Sequence, residues 1–96
     1  MKNVRIAQLI NDKGNGANNQ FVVVNNGATY FQSYNSVIAK IEGSKVTLSK
    51  DWDYSKTTLK HLFIFLRGVG ISVNSRKEVE RAIKDNIFSV VEETPI

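Results

Sequence analysis

The sequence predicts an α+β fold, in which an antiparallel meander of four to five strands is covered by two or three helices. β-Rich runs broken by short turn sequences occupy residues 20–49. Apolar residues at helical spacing follow in residues 59–66, and a capping-box sequence begins another helix at residues 75–78. The 96 residues, 42% of them hydrophobic, are enough for a single domain, residues 1–96, with a modest core.

The N-terminal segment is predicted to be a short helix followed by a loop. In "NVRIAQLIND", residues 3–12, the side chains of Ile6, Leu9 and Ile10 recur at helical spacing. The next stretch, "KGNGANN", has two Gly, three Asn and no large apolar residue, which is typical of a flexible loop. It lacks the Gly-Lys-Ser/Thr ending of a phosphate-binding loop.

Two hairpins are predicted in the sheet region. In "QFVVVNNGATYFQSY" the dipeptide Asn26-Gly27 separates two β-rich runs, and Asn-Gly is the strongest short hairpin signal. The runs "SVIAKI" and "VTLS" are separated by a turn at Gly43-Ser44. These four strands are expected in meander order, and "IFSVV", residues 87–91, is expected as a last strand along the sheet edge.

Two capped helices are predicted in the second half of the chain. The first has Ser55 or Thr57 as its N-cap and ends at Gly68 and Gly70. The second begins at the capping box of Ser75. Glu78 completes that box, Asn86 ends the helix, and the apolar positions of the two helices are Leu59, Leu62, Phe63 and Leu66, then Val79, Ala82 and Ile83.

The composition excludes several classes of protein and site. There is no Cys, so disulfides, thiolate metal sites and thiol nucleophiles are ruled out. No apolar run approaches the roughly 18 residues of a membrane span, and the N-terminus has no signal-peptide pattern. We therefore expect a cytoplasmic protein with no membrane partner. We also expect no cofactor and no metal site.

Catalytic groups are present in the sequence without a catalytic pattern. Ser55, His61 and Asp53 could supply a hydrolase triad, but no nucleophile elbow or prepared oxyanion hole accompanies them. Asp51 and Asp53 could bind a divalent cation or act as an acid-base pair. We favour a structural role, in which these two acids precede the positive N-terminal end of a helix. Trp52 between them is then expected to pack in the core. The chain is thus predicted not to be an enzyme.

A basic stretch and a pair of tyrosines are the candidate binding features. Residues 54–77 carry five cations and no acid, in a chain of net charge +4. Tyr30, Gln32 and Tyr34 would share one face of a strand, as in surfaces that stack single-stranded nucleic acid. The alternatives are a solvated charged face and a half-buried Tyr face under a helix. The predicted binding residues are Lys56, Lys60, Arg67, Tyr30, Tyr34, Arg76 and Lys77.

A resemblance to a known protein family rests on three short sequence boxes. They are residues 19–22 ("NQFV"), 31–39 ("FQSYNSVIA") and 52–58 ("WDYSKTT"). The last two resemble the patterns Phe-Gln-Ser-Tyr-x-Ser-x-Ile-Ala and Trp-Asp-Tyr-Ser-Lys/Arg-Thr-Thr of a family of small, mostly uncharacterised proteins from phages, prophages and plasmids of Firmicutes. That resemblance implies an accessory gene of a mobile element acting in the bacterial cytoplasm. It implies no activity.

The expected function is therefore binding without catalysis. One hypothesis is a phage or mobile-element protein that occupies a host protein or protein–nucleic acid complex and inhibits nucleic-acid handling or defence, as anti-CRISPR inhibitors do. The alternative is direct binding of single-stranded DNA or RNA. Two further readings remain open at this point, a hydrolase or metal enzyme that uses His61 with the Asp pair, and a homodimer formed through sheet edges.

Overall fold

The computed structural model describes residues 4–92 and Pro95, and in them the chain forms one six-stranded sheet and two helices. The α+β class is confirmed, with more strands than the predicted four to five. Strands β1 to β5 are antiparallel neighbours in chain order, and β6 pairs in parallel with β5. The elements are β1 (Val4–Ile10), β2 (Gly16–Asn25), β3 (Ala28–Ser33), β4 (Ser36–Glu42), β5 (Lys45–Ser49), α1 (Lys56–Gly68), α2 (Arg76–Lys84) and β6 (Phe88–Val91).

The prediction of an N-terminal helix is wrong, because the segment forms the edge strand β1. Residues three apart lie on opposite faces of a strand. Ile6, paired with Val23, is 67% exposed, whereas Leu9 is buried in the core. The spacing that resembled a helix therefore separates one outward residue from one inward residue. The long strand β2 supplies hydrogen-bond partners for β1, and these outweigh the weak helix propensity of so short a segment.

The predicted hairpin turns are confirmed. Asn26 and Gly27 have φ of 53° and 81°, the two positive values that a type I′ turn requires. Gly43 begins the β4–β5 turn with φ of 61°. Each turn allows the next strand to pair with its predecessor, which produces the meander.

Both helix starts follow the predicted capping chemistry. Ser55, rather than Thr57, is the N-cap of α1, and its Oγ accepts a hydrogen bond from the Thr58 N–H at 3.1 Å. Ser75 Oγ accepts from the Glu78 N–H at 3.3 Å and caps α2. These contacts satisfy N–H groups that the helices leave without a partner in their first turns.

Both helix ends also follow the prediction. Gly70 and Asn86 have φ of 91° and 59°, and each follows the C-cap of a helix. The N–H groups of the next residues, Ile71 and Ile87, donate back across the last turn to Leu66 O and Ala82 O, both at 2.8 Å. This is the hydrogen-bond pattern of a Schellman motif, which stops each helix sharply.

The core lies between the two helices and one face of the sheet. Phe31 of β3 stacks on Phe65 of α1 with ring centroids 5.6 Å apart. We call the face of the sheet that carries Phe31 the inner face. The apolar side chains that pack with Phe31 and Phe65 come from β1, β4, β5, β6 and both helices, and include Leu9, Ala39, Val46, Leu48, Leu62, Leu66, Val79 and Phe88.

Neither α1 nor α2 packs against the opposite face of the sheet, which we call the outer face. Its side chains alternate with those of the core, and neither Phe21, Val23 nor Tyr30 belongs to the core cluster. Within residues 4–92 there is no helix long and apolar enough to cross a membrane.

Candidate functional site

The seven residues predicted to bind a partner do not lie on one surface. Tyr30 is on the outer face, because it alternates with the core residue Phe31 along β3. The Lys40 ammonium lies 6.0 Å from the centre of the Tyr30 ring. Lys56, Lys60 and Arg67 lie on α1, which packs on the other face. Tyr30 is thereby separated from the basic residues by the thickness of the sheet.

The prediction that Tyr34 lies beside Tyr30 on one face of a strand is wrong. Tyr34 occupies the turn between β3 and β4 with φ of 54°, an uncommon value for a bulky residue. Its N–H donates to Asn19 O at 2.7 Å, and its carbonyl accepts from Gln32 Nε2 at 2.8 Å. These bonds hold the backbone while the Tyr34 side chain stands out, so that the residue is 59% exposed.

Two of the predicted cations join elements of the fold. Arg67 donates to the Asp12 carboxylate at 3.1 Å and to Asn74 Oδ1 at 3.1 Å, linking the end of α1 to two loops. Arg76 donates to Asp53 Oδ2 at 2.6 Å, linking α2 to the segment before α1. Their charges are therefore largely compensated.

The remaining predicted cations are more available. Lys56, Lys60 and Lys77 are exposed, and none of them forms an ion pair within residues 4–92. Lys56 and Lys60 lie four residues apart on α1, so they sit side by side on one helix face. The free positive charge of α1 is thus concentrated near its N-terminal end.

The groups considered for catalysis are engaged elsewhere. His61 Nδ1 lies 2.8 Å from Thr57 O on the same helix, and Asp53 is paired with Arg76. No cluster of three or more His, Asp or Glu side chains suited to a metal occurs in the part of the chain that the structure describes. Among the described residues, His61 is hydrogen-bonded to neither Ser55 nor Asp53.

The segment before α1 is a compact turn anchored in the core. Trp52 is 7% exposed and packs with the core, as the sequence predicted. The Asp51 N–H donates to Ser49 Oγ at 3.1 Å, and the Tyr54 N–H donates to Asp51 O at 3.0 Å. With Trp52 held inside, Asp51 and Tyr54 are left at the surface, where Tyr54 is 81% exposed.

A cavity of about 330 Å³ opens where this turn meets the β3–β4 turn. Its size falls within the range of small-molecule sites. The two longer sequence boxes, residues 31–39 and 52–58, supply every lining residue except Asp51. The lining residues are Ser33, Tyr34, Ser36, Ile38, Asp51, Tyr54, Ser55 and Thr58.

Sequence spacing alone does not predict this cavity, because its lining residues come from two separate segments. Ile38 and Thr58 are buried and form the floor, whereas Tyr34 and Tyr54 are exposed at the rim. The signal available was the concentration of hydroxyl groups in both boxes. That signal becomes a site only because the meander and the buried Trp52 bring the boxes together.

The Asp51 carboxylate is the notable charge of this cavity. Within residues 4–92 it accepts no hydrogen bond and forms no ion pair. Most other described carboxylates are engaged in such contacts, among them those of Asp12, Glu42, Asp53, Glu80 and Asp85. Asp51 is therefore a free acceptor in a cavity that two exposed tyrosines also line.

The outer face is the second candidate surface. One cross-strand row on it runs from the edge strand inward through Ile6, Val23, Tyr30, Lys40 and Thr47. Lys40 lies 3.5 Å from the Glu42 carboxylate, so the charge within this row is compensated. The β1 end of the face is apolar and open, as the 51% exposure of Val4 and the 67% exposure of Ile6 show.

Comparison with known proteins gives one positive result. Neither a curated protein nor a solved structure matches the chain significantly. A family model, described as a family of unknown function (DUF8033), matches residues 4–86, which span β1 to the end of α2 and include both candidate surfaces. The chain therefore belongs to the DUF8033 family.

Proposed function

We propose that this protein is a non-enzymatic binding protein of a phage or related mobile element. It acts in the bacterial cytoplasm by occupying a surface of a host complex that handles nucleic acid or provides defence, and inhibits it in the manner of an anti-CRISPR protein. The observation that carries the proposal is the open outer face, whose β1 end is apolar, on a sheet that packs both helices on its other face. The resemblance to mobile-element proteins supports the setting.

The chemistry of the outer face fits a protein better than a nucleic acid. Its central cation, Lys40, is paired with Glu42, and the face's other cation, Lys45, lies on β5, so phosphates would find no free cation of residues 4–92 at the apolar β1 end of this face. Val4 and Ile6 add exposed aliphatic area beside the free edge of β1. Contiguous apolar surface of this kind marks protein interaction sites, and an uncovered edge strand can pair with another strand.

Matched substitutions test the outer face as the docking site. Ile6→Lys places a charge on the face, whereas Ile87→Lys places one on an equally exposed Ile that follows α2; the exposures are 67% and 64%. The tagged wild type and both variants are used to capture partners from nuclease-treated host lysate. We expect a specific host protein to be captured by the wild type and Ile87→Lys and lost with Ile6→Lys, together with inhibition of that protein's activity.

Two outcomes would contradict this proposal. Equal capture by both variants would exclude the outer face. Sedimentation that shows a dimer of the wild type and a monomer of Ile6→Lys would assign the face to a second copy of the chain instead.

A second candidate function, direct binding of single-stranded nucleic acid, is favoured by a different observation. Lys56, which directly follows the cavity-lining Ser55, carries free charge at the end of α1 near which Tyr34 and Tyr54 are exposed. Positive charge beside exposed aromatic rings is the usual arrangement of single-strand binding sites. This candidate predicts affinity that falls with log[salt] at a slope of about −0.7 per neutralised phosphate. Salt-independent affinity would contradict it.

A further inference from the structure

The cavity between the two sequence boxes has features that select among ligands. It combines a carboxylate without a partner, two exposed aromatic rings and several hydroxyl groups around a buried floor. An ionised carboxylate only accepts hydrogen bonds, so the ligand edge that faces Asp51 must present donors. The exposed rings of Tyr34 and Tyr54 favour a planar ligand that can stack.

The surroundings of the cavity favour a ligand that also carries negative charge at a distance from Asp51. Lys56 directly follows the wall residue Ser55 at the start of α1. The cavity also lies at the N-terminal end of α1, where the helix dipole is positive. A simple cation would be drawn to Asp51 but repelled by these groups. A nucleotide satisfies both requirements, because its base offers donors and its phosphates are anionic.

Among the common bases, guanine matches the Asp51 carboxylate best. It presents two adjacent donors, N1–H and the exocyclic N2 amino group, to the two carboxylate oxygens. Adenine and cytosine place a ring acceptor next to their amino group, and uracil and thymine flank their single N–H with carbonyl oxygens. Two parallel, charge-assisted hydrogen bonds are both stronger and more selective than one.

We propose that this cavity binds a guanine base of single-stranded nucleic acid. Asp51 accepts from N1–H and N2–H of the base, Tyr34 and Tyr54 stack against it, and Lys56 at the start of α1 contacts a neighbouring phosphate. The inference rests on the second candidate function and gives it a base specificity. Recognition of an unstacked base by its Watson–Crick edge and by aromatic stacking is the common mode for single strands.

The decisive probe removes one amino group from the base. Short fluorescent single strands carry one deoxyguanosine flanked by deoxythymidines, or deoxyinosine in its place, which lacks only the N2 amino group. Fluorescence anisotropy at low salt measures both affinities. We expect the wild type to bind the guanine strand about fivefold or more tightly, since a bidentate contact discriminates by at least that factor.

Three variants separate the roles of the groups. Asp51→Asn should reduce the guanine preference to less than about twofold, whereas Glu80→Gln, which removes the same charge from α2, should keep it. Tyr54→Ala should weaken both strands by about fivefold or more through lost stacking. Tyr54 is 81% exposed, so this variant should retain its fold, which circular dichroism checks for every variant.

The failures of the two proposals are distinguishable. Absence of binding to any strand at low salt would overturn both direct nucleic-acid binding and the guanine site. Salt-sensitive binding with equal affinity for guanine and inosine strands would overturn the guanine site alone. A guanine preference that survives in Asp51→Asn would also overturn it, because the base would then be read elsewhere.

Discussion

The inner and outer faces of the sheet are built from alternate residues of the same strands, yet they are used in opposite ways. On β3 the core residue Phe31 is completely buried against Phe65, whereas its neighbour Tyr30 is half-buried on the open face. The inner face also receives both helices. The difference teaches that a single step along a strand separates a packed position from an open one, so that substitutions on the outer face should leave the core undisturbed.

The largest expected effect comes from the buried member of this pair. Phe31→Ala should lower the free energy of unfolding by about 3–5 kcal/mol, because it removes a stacked ring and leaves a cavity. Tyr30→Ala, one residue along, should lower it by about 1 kcal/mol, since less area is withdrawn from water. Urea unfolding followed by circular dichroism measures both. If Phe31→Ala fails to fold, Phe31→Leu and Tyr30→Leu provide a milder matched pair, and equal losses within the pair that is measured would contradict the contrast between the faces.

An intermediate effect is expected where the inner face holds its second helix. Only Val79 of α2 is fully buried, so α2 depends more on its cap than α1 does. Ser75→Ala should lower the free energy of unfolding by about 1 kcal/mol, because the Glu78 N–H loses its acceptor. Ser72→Ala, at an exposed position in the preceding loop, is the matched control. Indistinguishable unfolding curves for the two variants would show that the cap contributes nothing.

The smallest effect on stability is expected at the edge of the outer face. Ile6→Thr keeps a β-branched side chain in β1, and Ile6 is 67% exposed, so the free energy of unfolding should change by less than about 0.5 kcal/mol. Binding of the partner captured by the outer face should nevertheless weaken. A stability loss comparable to that of Phe31→Ala would mean that Ile6 is covered in the folded protein, and the description of an open face would be wrong.

Local chemistry determined much of this fold without reference to distant contacts. The Asn26-Gly27 and Gly43-Ser44 turns, the Ser55 and Ser75 caps and the stops at Gly70 and Asn86 each depend on a few neighbouring residues. The burial of Trp52, Leu62 and Leu66 was also predictable from the sequence. The stripe predicted on α1 is only partly right, because Leu59 and Phe63 are half-buried while Phe65, outside that stripe, stacks on Phe31.

The tertiary structure decided the rest, since it depends on which segments meet. The segment of Ile6 and Leu9 has a helix-like spacing, but pairing with β2 makes it a strand, and this outcome depends on a partner more than ten residues away. The sequence predicts Arg67 and Arg76 to be free cations, but the fold pairs them with Asp12 and Asp53. The cavity at Asp51 exists only because the β3–β4 turn and the turn before α1 converge. The sequence by itself determined the elements and most of their ends, and long-range packing decided which side chains remain free to bind.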